Sequence, residues 1–246
     1  MADEIGKQLK FYYYKSLTST QDNAKEFAKK GLSNIVIAAD AQTKGRGRFK
    51  RKWYSGKGGL WMSILLKPNN AENLQFLTFA AAVAIVKSIK KIAKLNTSIK
   101  WPNDVHYKGK KLCGILTEGI FGKDNHTIVG IGINVNQSRF YSEIKHIAIS
   151  LRMIKHEVFD IKRLMRNIVN EFFILYNDYY NQNKFDKILK IWKRYCDTIG
   201  KDVTVTTKIK RLKGNAIGVD KDCSLLLKLK NGKIIKIIEG DVSVRY

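Results

Sequence analysis

The sequence predicts an α+β fold: a mixed β-sheet with helices packed on it, followed by a small all-β unit. Three observations predict it. Apolar runs of strand length alternate with helical periods over residues 9–135. Two further helical stretches, 161–180 and 185–195, follow one another without an intervening strand. From Thr198 onward the texture changes to short alternating strands separated by Gly and Asp turns, the pattern of a small barrel. The chain therefore divides into a larger domain over 1–196 and a smaller one over 197–246. A length of 246 residues with 44% hydrophobic side chains is enough to give the larger domain a sizeable core.

Taken in order, residues 9–17 are aromatic and apolar and read as a strand. Ser19 and Asp22 have the spacing of a capping box, with Asp in place of Glu. The helix they would head, over 20–30, buries Ala24, Phe27 and Ala28 and has Gly31 placed to end it. Residues 34–39 (NIVIAA) are a continuous apolar run, the pattern of a buried strand. Periodicity then stops. Residues 42–59 hold five glycines and a dense set of cations around Trp53 and Tyr54, which reads as a long functional loop.

Order resumes with a strand over 60–66 (LWMSILL), closed by Pro68, and an amphipathic helix over 73–94. A short strand over 98–101 runs into Pro102-Asn103-Asp104. Residues 105–107 and 111–119 form a hairpin around Lys108-Gly109-Lys110, and 127–135 pairs beside it. In the last domain four strands are expected over 203–207, 214–219, 224–229 and 233–238. Asn231-Gly232 is the strongest hairpin signal in the chain.

Composition excludes several classes. Three widely spaced cysteines and four scattered histidines make neither a disulfide framework nor a Cys/His zinc site. No apolar run approaches the ~20 residues of a membrane span, and the N-terminus lacks the pattern of a signal peptide. A soluble cytoplasmic protein with no membrane partner is the expectation. The net charge is +25. It is spread out, with 24 basic and 9 acidic side chains in residues 1–139 and 22 and 12 in the remainder. Such a balance fits nucleic-acid binding, and it equally fits a solvated Lys-rich surface.

Three segments carry chemistry. In Lys44–Lys52 six of nine positions are cationic, and Gly45 and Gly47 let the backbone approach a ligand closely. Arg46, Arg48 and Arg51 suit phosphate or carboxylate oxygens. The loop fits a phosphorylated small ligand, a nucleic-acid backbone with Trp53 as stacking face, or a plain exposed basic loop. It matches neither a P-loop nor GxGxxG. Lys100-Trp101-Pro102-Asn103-Asp104 ends a strand in a rigid turn. The hairpin after it would bring Asp104 near Lys111, at the start of Lys110-Lys111-Leu112-Cys113-Gly114-Ile115-Leu116. In Gly130-Ile131-Gly132-Ile133-Asn134, alternating glycines mark a close approach of backbone or ligand, and Asn134 adds a directional polar group.

The succession Ser19-Thr20, Gln42, GRGRxxRxW, KWPND, KKLxGIL and GIGINV resembles the biotin–protein ligase family over nearly the full chain. The resemblance implies a class II synthetase-like catalytic domain and an SH3-like C-terminal barrel. It implies the compact form, without the winged-helix DNA-binding domain of bifunctional ligase–repressors, and so no repressor activity or specific DNA binding. The implied substrates are biotin and ATP with Mg²⁺ on the phosphates. The implied partner is a biotin carboxyl carrier domain, whose lysine is biotinylated through biotinyl-5′-AMP; a homodimer is common in such members. The neighbouring alternative is a lipoate- or octanoyl-transferring enzyme of related fold.

By the same resemblance, Ser19, Thr20 and Gln42 hydrogen-bond the biotin ureido ring, with Gln21 standing where Asn is usual. Gly45, Arg46, Gly47 and Arg48 form the loop that closes over biotin and the adenylate. Arg51 and Trp53 lie near triphosphate and adenine. Lys111 meets the biotin carboxylate and α-phosphate, while Gly114 and Ile115 line the biotin pocket. Asn103 and Asp104 form the turn beside the reacting centre, Asp104 as base or orienter, and Asn134 contacts nucleotide or metal. Arg48, Lys111 and Asp104 are the implied catalytic set. Lys50 replaces a common Gly, so a positive φ there is less favourable.

Overall fold

The computed structural model describes residues 9–69, 72–122, 124–207 and 209–244. Among the described residues there are twelve strands, arranged in two sheets, and five α-helices. The first is seven-stranded, in the order β1-β2-β3-β7-β6-β5-β4. Its strands are β1 (Lys10–Tyr14), β2 (Ile35–Ala39), β3 (Leu60–Leu66), β4 (Ser98–Lys100), β5 (Asp104–Tyr107), β6 (Lys110–Ile120) and β7 (His126–Ile133). β1 and β2 are parallel and every other neighbour pair is antiparallel, so the sheet is mixed as expected.

Both faces of the central strands are covered, which is why they read as unbroken apolar runs. All five residues of β2 and all seven of β3 are buried. Helix α1 (Thr20–Lys29) packs Ala24 and Ala28 against Ile35, Ile37, Leu65 and Ile128 on one face. Helix α2 (Gln75–Ala93) covers the other and is buried nearly all round, because α4 (Ile161–Leu175) and α5 (Phe185–Lys193) lie on its far side. Phe79 stacks on Trp192 at 4.1 Å between ring centroids, joining α2 to α5. Each fully buried Leu, Ile or Phe in this layer is worth about 1.5–3 kcal/mol.

Three expectations need correction, and one element lies outside them. Ser19 has the extended backbone of an N-cap but its side chain makes no capping bond; Asp22 instead pairs with Arg46, so no capping box forms. The expected helix over 161–180 is α-helical to Leu175 and then loosens into a π-turn, Tyr176–Tyr180. There the rings of Phe172, Tyr176 and Tyr180 stack in a column. A short helix α3 (Leu151–Lys155), capped by Ser150, went unpredicted because five residues hold no periodicity. The last domain has five strands rather than four, in the order β11-β10-β9-β8-β12.

Those strands are β8 (Asp202–Thr206), β9 (Arg211–Val219), β10 (Leu225–Leu229), β11 (Ile234–Ile237) and β12 (Asp241–Val244). β12 pairs antiparallel with β8, and Asn231-Gly232 turns β10 into β11 with Gly232 at φ +82°. The unit is an antiparallel sheet; among the described residues no ladder joins β11 to β12 to close it as a barrel. Trp101 ties this unit to the larger one. Its backbone N–H donates to Thr198 Oγ1 (3.0 Å) and its indole N–H to the Cys223 carbonyl (2.9 Å).

Candidate active site

One cleft gathers nearly all the singled-out residues: Ser19, Thr20, Gln21, Gln42, Arg46, Gly47, Arg48, Arg51, Trp53, Asn103, Asp104, Lys111, Gly114, Ile115 and Asn134. Gly45 does not line it. That glycine lies behind the loop, where a Cβ would come within 2.5 Å of the Trp53 carbonyl. Its absence lets the loop double back, with Gly45 accepting from the Trp53 N–H at 2.9 Å.

Glycines also make the floor. Gly114 of β6 and Gly132 of β7 are register partners, and the Trp53 indole lies over both. A Cβ on Gly132 would stand 2.4 Å from Trp53 Nε1 and one on Gly114 3.1 Å from the ring edge. Trp53 Nε1 is buried without a partner. Lys111 Nζ sits 5.1 Å from the centroid of the same ring.

The inner end is polar and continuous. Gln42 Oε1 accepts from the Thr20 backbone N–H (2.8 Å) and hydroxyl (3.1 Å). Ser63 Oγ faces both Thr20 Oγ1 (2.8 Å) and Gln21 Oε1 (2.9 Å). Gln21 Nε2 donates to Glu118 Oε2 at 2.8 Å. Gln42 Nε2 donates to Ser55 Oγ at 2.9 Å. Ser63 has one proton for two acceptors, because the Thr20 hydroxyl proton is already directed to Gln42. The floor is therefore rich in acceptors and short of donors.

The cations differ in what surrounds them. Arg46 lines the cleft, yet its guanidinium is taken up by Asp22 and Glu118. Arg48 Nη1 spans Asn103 Oδ1 and the Gly240 carbonyl, both at 3.2 Å. Burial pulls the Arg48 pKa down, and Asp241, Asp104 and Glu239 oppose that. Arg51 pairs with Asp241. Lys111 Nζ lies 2.7 Å from Asp104 Oδ1. Burial alone would raise the Asp104 carboxyl, but Lys111, with His106 behind it, holds it far below the usual carboxylate range. Asn134 is buried, its N–H donating to the Leu112 carbonyl, so it sets the end of β7 against β6.

Sequence reasoning missed Ser63, Glu118, Gly240 and Asp241. Ser63 sits inside an apolar strand, and Gly240 and Asp241 come from the second domain, so no local pattern marked them. The alternating Gly130 and Gly132 did signal close approach, and both line the cleft. Lys50 takes the positive φ, 57°, at which a Cβ is unfavourable, as does Phe49 at 54°. Among the described residues no group of three His, Cys, Asp or Glu side chains forms a metal site, and no helix is long and apolar enough to cross a membrane.

Comparison with known proteins adds lineage. Residues 13–136 match the biotin/lipoate A/B protein ligase family, and residues 198–245 match the biotin protein ligase C-terminal domain. The chain is similar to the bifunctional ligase/repressor BirA of Bacillus subtilis, 39% identical over 94% of this chain and 73% of that protein. It is also similar to BirA of Escherichia coli, 26% identical over 87% of this chain and 67% of that one. The structure resembles biotin protein ligase from Aquifex aeolicus, solved in complex with biotin and ATP. That match has a TM-score of 0.85 and 32% identity, covering 96% of this chain and 98% of the other. Likeness of this extent, running through the cleft and on into the C-terminal sheet, places the chain in the biotin/lipoate A/B protein ligase family.

Proposed function

We propose that the protein is a biotin–protein ligase that makes biotinyl-5′-AMP from biotin and ATP and passes the biotinyl group to a carrier-domain lysine. The observation that carries biotin over lipoate is the donor-poor floor at Ser63, Thr20, Gln21 and Gln42. A ureido ring brings two N–H donors to surplus acceptors, whereas a dithiolane brings none and would leave them unpaired. Leaving a buried acceptor unpaired costs about 1–3 kcal/mol, which discriminates between the two ligands.

In the first step the biotin carboxylate attacks the α-phosphorus of ATP and pyrophosphate leaves. Two anions must meet, so cations lower the barrier. Lys111 is the cation nearest the glycine floor, and Asp104 fixes where its ammonium sits. Arg48 supplies a second cation on turning from Asn103 and Gly240, and Arg51 suits the leaving phosphates. Mg²⁺ bound to the triphosphate as part of the substrate would neutralise part of its charge. Trp53 offers an aromatic face to adenine. The 42–59 loop then shields the acyl-adenylate from water. In the second step the carrier amine attacks the acyl carbonyl and AMP leaves, with Asp104 placed to orient the amine or take its proton.

Of the two activities in the Bacillus relative's name we carry over the ligase alone. The surplus surface charge is assigned to steering an acidic carrier domain rather than to DNA. The decisive test is pyrophosphate exchange into ATP, compared between biotin and lipoate, followed by transfer to a purified carrier domain. Exchange with biotin alone is expected; exchange with lipoate alone would overturn the assignment.

A further inference from the structure

Glu118 is no part of the chemistry derived above, yet its carboxylate sits at a junction. Oε2 accepts from Gln21 Nε2 at 2.8 Å on the ligand side and from Arg46 Nη2 at 2.9 Å on the loop side. Oε1 accepts from Lys25 Nζ at 3.2 Å. Gln21 reaches this far because its neighbour is Gly130: a Cβ there would stand 2.7 Å from Gln21 Oε1. The remaining oxygen of Gln21 is one of the two competing for the single Ser63 proton.

We propose that Glu118 is a positioning residue that couples occupancy of the polar floor to anchoring of the 42–59 loop through Arg46. The proposal rests on the ureido-ring reading for its ligand, though not for the anchoring itself. Arg46 and Glu118 are both largely shielded, with side-chain exposures of 24% and 29%, so this pair is screened less than a surface one. A donor from the ligand at Gln21 Oε1 relieves the competition for the Ser63 proton and holds the Gln21 amide towards Glu118. That amide and Arg46 then share one oxygen, each fixing it for the other. Arg46 thus acts through the loop's attachment and not as a cation for substrate phosphates.

The loop carries its own reporter, since the cations in Lys44–Lys52 are trypsin sites. Tryptic cleavage within 44–52 and steady-state KM values for biotin and ATP are measured for wild type, Glu118→Gln, Arg46→Gln and the double variant. Loss of one charge-assisted bond should raise the unliganded cleavage rate and the biotin KM about tenfold in each single variant, with the ATP KM unchanged. The double variant should add little to either single one, a non-additivity that general destabilisation would not produce. Lys25→Met, which removes the outer partner only, should leave both readouts at wild-type values. Wild-type cleavage and biotin KM in Glu118→Gln, or additive effects in the double variant, would overturn the proposal. A wild type that binds no biotin would sink the ligase reading, while the unliganded cleavage rates would still decide the anchoring.

Discussion

Lys111 Nζ lies 2.7 Å from Asp104 Oδ1, across a hairpin whose turn residues Lys108 and Gly109 both take positive φ. The two side chains stand on neighbouring antiparallel strands, so each holds the other in place without a flexible linker between them. Removing the ammonium should therefore harm the adenylation step itself. Lys111→Ala is expected to slow single-turnover adenylate formation by roughly 10²–10³, the usual worth of a preorganised charge at a reacting centre. A normal single-turnover rate would count decisively against that role.

The same pair sets a pH dependence. The Asp104 carboxyl is held well below its ordinary value of 3.8 by Lys111 and His106, against the opposing effect of burial. A depressed carboxylate contributes stability that is complete above the ordinary value and is lost as pH falls from there towards the folded-state value. Urea melts of wild type and Asp104→Asn should differ most at neutral pH and converge below about pH 4. A gap that stays constant down to pH 3 would show that the ionised pair contributes nothing.

Gly132 tests the floor under Trp53. A methyl group there meets Trp53 Nε1 at 2.4 Å, so the indole must shift. Gly132 has no positive φ, and the penalty falls on the cleft rather than on the strand. We expect Gly132→Ala to raise the KM for ATP about tenfold while the melting temperature changes by only a few degrees. An unchanged KM would mean that Trp53 does not meet the nucleotide.

Thr198 tests the joint between the two units. Its hydroxyl is fully buried and accepts the Trp101 N–H at 3.0 Å. Thr198→Val keeps the volume and strands that donor, which should cost about 1–3 kcal/mol in a urea titration. A loss below a few tenths would indicate that the N–H finds another acceptor.

Steering by surface charge predicts salt sensitivity in the second half-reaction only. Raising ionic strength should lower kcat/KM for the carrier domain and leave adenylate formation nearly unchanged. A kcat/KM for carrier that ignores salt would reject it.

Much of this protein was legible before folding. The strands over 34–39 and 60–66 announced themselves because layers on both faces require apolar residues at every position. The Lys108-Gly109 turn announced the approach of Asp104 to Lys111, but not the register shift between Val105 and His106 that sets Asp104 opposite Gly114. Ser19 misled, because Asp22 has a stronger partner in Arg46 than a backbone N–H, and that partner is 24 residues away. β12 alternates as Asp-Val-Ser-Val, but at four residues it is too short to stand out from a turn by sequence alone.

What the sequence by itself determined was therefore most of the longer elements and the chemical character of the cleft. Periodicity, glycine spacing and the density of arginines are local properties of the chain. Tertiary structure alone decided what holds each of those cations in the cleft. Arg46 is neutralised by carboxylates on α1 and β6, Arg48 is caught between Asn103 and a carbonyl of the second domain, and Lys111 is held by Asp104 on the next strand. The reason is physical: an ion pair or hydrogen bond needs its partners a few ångströms apart, and the topology brings each cation to partners as far as 192 positions away in the chain.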